Sequence, residues 1–225
     1  MSDMQADRER LLVRRLRSGD ETAFAELVDS MHGRLLAFAR TFTSSPALAE
    51  DIVQETWLGV IRGLAGFEER SKLRTWIFGI LVRRARTLAA REARRSEVPL
   101  KAAGDDGEPT QEWVPGAGKA GLWTERPVPW GLEDPALALR TAEAARVIRE
   151  AVESLPPVQR QVVLLRDVED VGAQEVCNIL SVSETNLRVL LHRGRARIRR
   201  ALDRHVRGAM SAQAQLAPRN PGESA

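Results

Sequence analysis

Apolar residues recur every three or four positions along much of this chain, which is the spacing of a buried helix face. The N-terminal half carries three such faces. They consist of Leu27, Met31, Leu35, Phe38 and Phe42, then Ile52, Val53, Trp57, Val60, Ile61 and Leu64, then Trp76, Ile77, Ile80, Leu81 and Leu88. No segment alternates as a strand does over a useful length. The pattern predicts an all-α chain.

Local signals place several helix ends. Pro46 follows Ser44 and Ser45, a combination that favours a helix start because serine caps free amides and proline suits the first helical position. The third N-terminal helix is predicted from about Leu73 to Arg95. In the C-terminal half, the predicted helices are Ala136–Ser154 and Val158–Arg166.

A predicted helical hairpin follows. Ala173–Leu180 fits a short helix, and Val182 lies where it can fill the core between two helices. Ser183 is a good N-cap for a second helix, which is predicted to continue to about Leu202. Cys177 is expected to be a small buried residue of the hairpin core rather than a redox sensor.

The second helix of the hairpin carries basic and polar residues on one face. Arg188, His192, Arg195 and Arg199 are spaced by four, three and four residues, opposite an apolar back. A helix of this kind fits the major groove of DNA, with its first turn at the base edges and its later arginines on phosphate. An ordinary hairpin with a basic exposed face is the alternative.

The two halves are separated by a segment of different composition. Residues 96–135 hold six prolines, six glycines, eight acidic and three basic residues, and are predicted to be a linker. Trp113, Trp123 and Trp130 lie within it, either docked on a neighbouring surface or clustered locally. Residues 206–225 are predicted to be a disordered tail.

Charge is distributed unevenly along the chain. The net charge is +3, yet residues 70–95 carry +8 and residues 188–207 carry +7, so the remainder is acidic. Two separated basic segments suggest two contacts with a polyanion. Arginine supplies 31 of the 34 basic residues, which suits phosphates and guanine edges but is also what a biased genome composition would give.

The same composition argues against several classes of protein. A single cysteine and three scattered histidines predict neither a disulfide framework nor a metal site, and no cofactor is expected. No run of about eighteen apolar residues occurs, and the N-terminus is charged, so we expect no membrane insertion, no secretion and a cytoplasmic location. The chain also contains no recognisable catalytic arrangement, which predicts that it is not an enzyme.

Several motifs resemble the bacterial alternative sigma factors of the extracytoplasmic-function (ECF) group in the sigma-70 family. Residues 51–57 (DIVQETW) are similar to the polymerase-binding helix of region 2, and residues 67–78 to its promoter-melting segment. Residues 155–167, 175–185 and 191–195 are similar to successive parts of region 4. The resemblance implies two small helical domains, a region 2 bundle at 8–95 and a region 4 helix-turn-helix at 136–205, joined by the linker.

The resemblance also implies roles for individual residues. Core RNA polymerase would be bound by Asp51, Gln54, Glu55, Trp57 and Leu58. The promoter −10 element would be captured and melted by Phe67, Arg70, Lys72, Arg74, Trp76, Arg83, Arg84 and Arg86. The −35 element would be read through Ser183, Glu184, Thr185, Asn186, Arg188, His192, Arg193, Arg195 and Arg197. Trp76 fits the apolar stripe and is expected in the core rather than as a stacking platform.

The sequence departs from the family pattern in two places. Arg83 stands where many members have asparagine, and Val189 and Leu190 stand where many have polar or basic residues. Promoter DNA and core polymerase are the implied partners, together with an anti-sigma factor. The alternative function is a helix-turn-helix regulator that binds duplex DNA without joining polymerase.

Overall fold

The structure is a computed structural model that describes residues 2–95 and 137–216. The predicted linker, with its three tryptophans, lies outside the described residues. The described residues form helices and turns and contain no strand, which confirms the all-α prediction. Their α-helices are α1 Ser2–Arg17, α2 Glu21–Ala39, α3 Pro46–Gly63, α4 Leu73–Arg95, α5 Leu137–Glu153, α6 Pro157–Val163, α7 Ala173–Leu180 and α8 Glu184–Leu216.

Side-chain caps fix the starts of α2 and α3. Ser45 Oγ accepts a hydrogen bond from Leu48 N at 3.3 Å, with Pro46 as the first helical residue, so the predicted cap is confirmed. Asp20 Oδ1 accepts from Ala23 N at 3.0 Å at the start of α2. The hydrogen bond from Arg15 Nε to Asp20 Oδ2, at 2.7 Å, lowers the pKa of that carboxyl from its ordinary value.

Helices α2, α3 and α4 bury a common apolar core. Phe38 of α2 meets Phe78 of α4 edge-on, with ring centroids 5.2 Å apart. Ile52 and Leu81 are also completely buried. Helix α4 is buried over a wider arc than its pattern predicted, because Phe78, Val82, Ala85 and Ala89 also face inward. This burial holds the basic residues of α4 on a rigid support.

Three details of the predicted elements are wrong. Ile61, assigned to the buried face of α3, is 56% exposed. The helix expected to reach Arg166 ends as α-helix at Val163 and continues as a π-helical turn over Leu164–Val168. Helix α8 runs to Leu216 rather than about Leu202, so residues 206–216 of the predicted tail are helical.

The described residues belong to two compact units. The first contains α1–α4 and residues 161–188, and the second contains residues 137–160 and 189–216. In the first unit, α7 packs on α4, and a Cβ at Gly79 would lie 3.9 Å from Ile179 Cγ1. In the second unit, Glu143 of α5 lies 3.8 Å from the His205 ring.

Candidate functional site

One face of α3 combines polar and apolar residues in the open. Asp51, Gln54 and Leu58 are exposed, and Ile61 continues the stripe at helical spacing. Leu58 and Ile61 are 42% and 56% exposed. Sequence reasoning missed Ile61, although its position three residues after Leu58 was the available signal. The face offers hydrogen-bond acceptors beside two apolar anchors, which is the composition of a protein-binding surface.

The remaining two residues predicted to bind polymerase are placed differently. Trp57 is only 9% exposed, and its ring packs edge-on against Phe24 with centroids 5.9 Å apart. Trp57 therefore supports the face from within and is not an exposed anchor. Glu55 is partly exposed and pairs with Arg84 of α4 at 3.9 Å, which joins the α3 face to the first basic segment.

Phe67 and Trp76, predicted at the melting segment, belong largely to the protein interior. Phe67 is 4% exposed, and its ring lies 4.9 Å from the half-buried Trp76 ring. Trp76 also covers Gly63 so closely that a Cβ there would come within 3.0 Å of the indole. Trp76 is half-buried against Phe67 and Gly63, so it is only partly in the core, and Phe67 is not an exposed stacking surface.

The basic residues around the start of α4 lie at the surface, and several contact acidic or carbonyl groups. Arg70 pairs with Glu68, and Lys72 Nζ lies 3.4 Å from Asp170 Oδ2. Arg86 donates to Leu180 O at 2.6 Å and to Ser181 Oγ at 3.2 Å. Arg83 is exposed. Arg83 and Arg84 border an open cavity of about 460 Å³ with Gly59, Gly63, Trp76, Ile80 and Thr87.

Glu169 is the acidic residue that sequence reasoning missed. Its side chain is 5% exposed and its Oε1 lies 3.4 Å from Arg34 Nε. Burial raises its pKa above the ordinary value of 4.5, and the positive charges of Arg34 and Arg74 oppose that rise. With Asp170 beside it, this acidic turn faces cations that the sequence assigned to promoter DNA. The contact of Glu169 with Arg34 joins residues 135 positions apart, so no local pattern could have revealed it.

An open cavity of about 360 Å³ adjoins the predicted melting segment. Its walls come from α1 and from the loop between Phe67 and α4. They are formed by Glu9, Arg10 and Val13 on one side, and by Phe67, Glu69, Arg70, Ser71 and Lys72 on the other. Buried apolar residues and charged groups therefore meet at one opening. Three of its lining residues belong to the set predicted to melt the promoter.

The start of α8 has the predicted cap. Ser183 Oγ accepts from Asn186 N at 3.2 Å, and Glu184, Thr185 and Asn186 are all exposed in the first turn. Arg188 lies 3.6 Å from Glu184, so two predicted base-reading residues pair with each other. Leu190, one of the two departures from the family pattern, is buried. The other, Val189, is exposed.

The predicted DNA-binding residues of α8 lie on two sides of the helix. Arg188, His192, Arg195 and Arg199 are all exposed, as the stripe predicted. At about 100° per residue, Arg193 and Arg197 lie about 140° and 180° away from Arg188, and both are half-buried. One face therefore groups Arg188, His192 and Arg195 with Arg199 of the predicted stripe. It leaves Arg193 and Arg197 outside.

Helix α7, the first helix of the hairpin, has the predicted bounds. Glu175 Oε2 accepts from Gly172 N at 3.0 Å before its first turn. Ser181 ends the helix in a left-handed conformation with φ 57°, where glycine is more usual. Cys177 is buried and Val182 half-buried, as predicted for the hairpin core.

Among residues 2–95 and 137–216, no helix is both long and apolar enough to cross a membrane. Within the same part of the chain, no group of three or more histidine, cysteine, aspartate or glutamate residues could hold a metal ion.

Two family models match the chain. The model for Sigma-70 region 2 matches residues 27–95, and that for Sigma-70 region 4 matches residues 145–198. Together they account for more than half of the 225 residues. They are matched in the order that the sequence motifs predicted.

The curated proteins similar to this chain are RNA polymerase sigma factors. A probable RNA polymerase sigma factor of Haemophilus influenzae is 24% identical over 77% of this chain and 86% of its own length. ECF RNA polymerase sigma factor SigG of Mycobacterium tuberculosis is 33% identical over 81% of this chain, which spans about half (48%) of that relative. ECF RNA polymerase sigma factor SigW of Bacillus subtilis is 22% identical over 84% of this chain and 94% of its own length.

A solved structure shares the fold. Sigma factor RpoE from Bartonella quintana, solved in complex with the anti-sigma factor NepR, superposes with a TM-score of 0.50 at 20% identity. The match covers 80% of this chain and 96% of that chain. The ordered pair of region models and the ECF relatives settle the family. This chain belongs to the sigma-70 family of RNA polymerase sigma factors, within its ECF group.

Proposed function

We propose that this chain works through three surfaces: the exposed face of α3, the basic loop and helix at 70–86, and the first turns of α8. As an ECF member, the chain is an alternative sigma factor that directs transcription initiation with RNA polymerase. The assignment of the three surfaces to polymerase, the −10 element and the −35 element is the proposal.

The α3 face is proposed to bind core RNA polymerase. Asp51 and Gln54 offer acceptors to basic groups of a partner helix, while Leu58 and Ile61 supply apolar area that is otherwise left in water. Exposed apolar side chains grouped on one helix face are typical of a partner surface. Trp57 keeps this face rigid because its ring is packed against Phe24.

The second surface is proposed to hold the non-template strand at the −10 element. Arg70 and Lys72 supply positive charge for phosphates at the cavity beside Phe67, and Arg74 and Arg86 add positive charge along α4. That cavity, about 360 Å³, is large enough to receive one unstacked base. Opening a duplex requires both features, because an extruded base must leave the stack while its backbone stays bound.

The third surface is proposed to enter the major groove at the −35 element. The first turn of α8 presents Glu184, Thr185 and Asn186, and the exposed face carries Arg188 and Arg195. Early residues of a recognition helix contact base edges, and later arginines contact phosphate. Arg193 and Arg197 contribute to the positive field from the other side of the helix and not to base contacts.

The observation that carries the proposal is the α3 face. A helix-turn-helix regulator acting without polymerase would need the α8 face alone, and would leave the exposed Asp51–Ile61 stripe and the first basic segment without a role. A sigma factor needs all three surfaces: the α3 face, the basic loop and helix at 70–86, and the first turns of α8. Since its work is binding and strand separation, we also propose that the chain is not an enzyme and acts in the cytoplasm, where RNA polymerase is.

An anti-sigma factor is a further proposed partner. The structural relative RpoE was solved with such a protein bound. The α3 face and the first turn of α8 are the exposed surfaces whose covering would block polymerase and promoter binding together. We expect a silencing partner to compete with core polymerase for Asp51 and Leu58.

A charge reversal on α3 tests the proposal. Asp51→Arg places a cation where the partner is expected to be basic, and should weaken co-purification with core polymerase at least tenfold. Asp29→Arg is the matched control, because it makes the same charge change at an exposed position of α2. Equal retention of polymerase by both variants would support the regulator that acts without it.

A further inference from the structure

Helix α1 lies outside the segment that matches the region 2 model, yet one of its side chains reaches across the melting loop. Arg17 Nε donates to Leu64 O at 3.4 Å, and Nη2 donates to Phe67 O. Its Nη1 donates to Glu69 Oε1 at 3.1 Å. The matched segment begins at residue 27, so neither the model nor the sequence motifs assign Arg17 a role.

The loop that Arg17 contacts has backbone groups that need such a partner. Between Phe67 and Leu73 the chain is not helical, and Glu69 adopts a left-handed conformation with φ 58°, which is unfavourable for a residue other than glycine. A planar guanidinium can donate to two carbonyls and a carboxylate at the same time, whereas a lysine ammonium cannot reproduce that fork. Arg17 therefore binds the 3-10 turn before the loop, at Leu64, and the loop itself at Phe67 and Glu69.

The far end of the same loop is also held by α1. Glu9 Oε1 accepts a hydrogen bond from Leu73 N, the first residue of α4. A carboxylate at this position satisfies a free amide and stabilises the positive end of the helix. Glu9 and Arg17 are eight residues apart, about 12 Å along the helix. Helix α1 thus spans the loop and binds both of its ends.

The cavity beside the melting loop lies between these two attachments. Glu9, Arg10 and Val13 form its α1 wall, and Phe67 to Lys72 form the loop wall. If the loop moved, the opening would change shape, because one wall would move while the other stayed on α1. A preformed site avoids the cost of ordering a loop when its ligand binds.

We infer that Arg17 is a positioning residue for promoter opening. It holds the melting loop and the cavity in the geometry that receives an unpaired base of the non-template strand. This inference rests on the proposed function, since the base is its ligand. It adds α1 to the promoter-opening machinery, with Arg17 acting through Phe67 and Glu69 rather than by touching DNA.

The test compares Arg17→Ala with Arg14→Ala, which removes an exposed arginine from the same helix. Each factor is assembled with core polymerase, and opening is followed by a fluorescent base analogue in the −10 region of a duplex promoter. Arg17→Ala should open the duplex about tenfold more slowly, the effect of losing about 1.4 kcal/mol of hydrogen bonding. Arg14→Ala should match the wild type, and both variants should bind core polymerase as the wild type does.

A template whose −10 region is already unpaired distinguishes positioning from a general structural defect. On that template Arg17→Ala should initiate within about twofold of the wild type, because the strands of the −10 region are already separated. Arg17→Lys keeps the charge without the fork, so it should remain several-fold slow on the duplex. It also provides the test if Arg17→Ala does not fold.

Three results would overturn the inference: wild-type opening by Arg17→Ala, wild-type opening by Arg17→Lys, or an equal loss of opening on both templates. Failure of the wild-type factor itself to open any promoter would contradict the proposed function instead. If the wild-type factor opens promoters and the Arg17 variants open them equally fast, only the role of Arg17 is contradicted.

Discussion

The two basic segments of this chain have similar net charge but very different structural settings. Helix α4 is packed by α2 and α3 over a wide arc. Its Arg84 contacts Glu55 and its Arg86 contacts the backbone of Leu180, while Lys72, just before the helix, contacts Asp170. Helix α8 is a long helix whose arginine face is exposed from Arg188 to Arg199. Similar charge therefore belongs to a helix that its neighbours pack over a wide arc in the first case, and to one exposed face of a long helix in the second.

The difference shows where binding and stability can be separated. On α4 the binding residues alternate with the main core residues of the fold, so a change there affects stability and DNA contact together. On α8 the basic face lies opposite the apolar back, so we expect a change there to affect stability less. We expect opening of DNA to need the first arrangement, because strands must be held against a fixed support, whereas reading a duplex needs only an exposed helix face.

The largest expected effect is on stability. It compares a buried residue of α4 with a half-exposed residue of α8. Leu81→Ala should lower the free energy of unfolding by about 2–5 kcal/mol, because Leu81 is completely buried. Ile198→Ala on the half-exposed back of α8 should cost about 1 kcal/mol. Urea unfolding of both variants measures the contrast. Equal losses would mean that α8 is as firmly packed as α4.

The next largest effect is expected on DNA binding by the exposed arginine face of α8. Arg195→Ala and Arg199→Ala should each weaken holoenzyme binding to a −35 duplex by about 1 kcal/mol, roughly fivefold, and reduce the salt dependence by about one phosphate contact. Arg200→Ala is the control, since it is exposed one position further, about 100° around the helix. An equal effect from Arg200→Ala would mean that overall positive charge, and not one defined face of α8, binds the duplex. Unfolding free energies should stay within about 0.5 kcal/mol.

A smaller effect concerns the acidic turn beside α4 and depends on pH. The pKa of Glu169 is raised in the folded chain, so the folded state prefers its protonated form. Its contribution to stability is therefore greatest below the unfolded pKa and is lost as pH rises through the folded value. Wild-type stability should decline over that interval, above about pH 4.5, relative to Glu169→Gln. Parallel pH profiles of urea unfolding would contradict this.

The smallest expected effect concerns the exposed pair between Lys72 and Asp170. Asp170→Asn removes the negative charge that faces Lys72, and such exposed pairs are worth at most about 1 kcal/mol. Binding of a −10 single strand to the holoenzyme should become about twofold tighter, as measured by fluorescence anisotropy. Asp29→Asn is the control for the change in net charge. Weaker binding by Asp170→Asn would mean that the acidic turn orients Lys72 for the strand.

The sequence predicted the helices best where the signals are local. The bounds of α4 and α7 agree with the pattern, and the serine caps of α3 and α8 are confirmed. Caps and periodicity depend on neighbours within one or two turns, so a single sequence contains them. The start of α8 and its exposed stripe were predictable for the same reason.

The sequence was less informative about which aromatic residues are exposed and which distant residues meet. Phe67 and Trp57 face inward because of the helices around them, a tertiary choice that spacing alone does not encode. The contact of Lys72 with Asp170 joins residues 98 positions apart. Arg17 likewise reaches Phe67 across 50 residues, and no motif marks an arginine that binds a distant loop.

Transcription by reconstituted holoenzyme tests the central claim most directly. Purified factor is added to core RNA polymerase on a pool of genomic fragments, and the transcripts are sequenced. The account predicts new start sites that share two upstream elements, with Asp51→Arg lowering the yield at all of them and Arg195→Ala lowering it in proportion to dependence on the upstream element. A factor that binds the fragments but never stimulates initiation on any of them would contradict it.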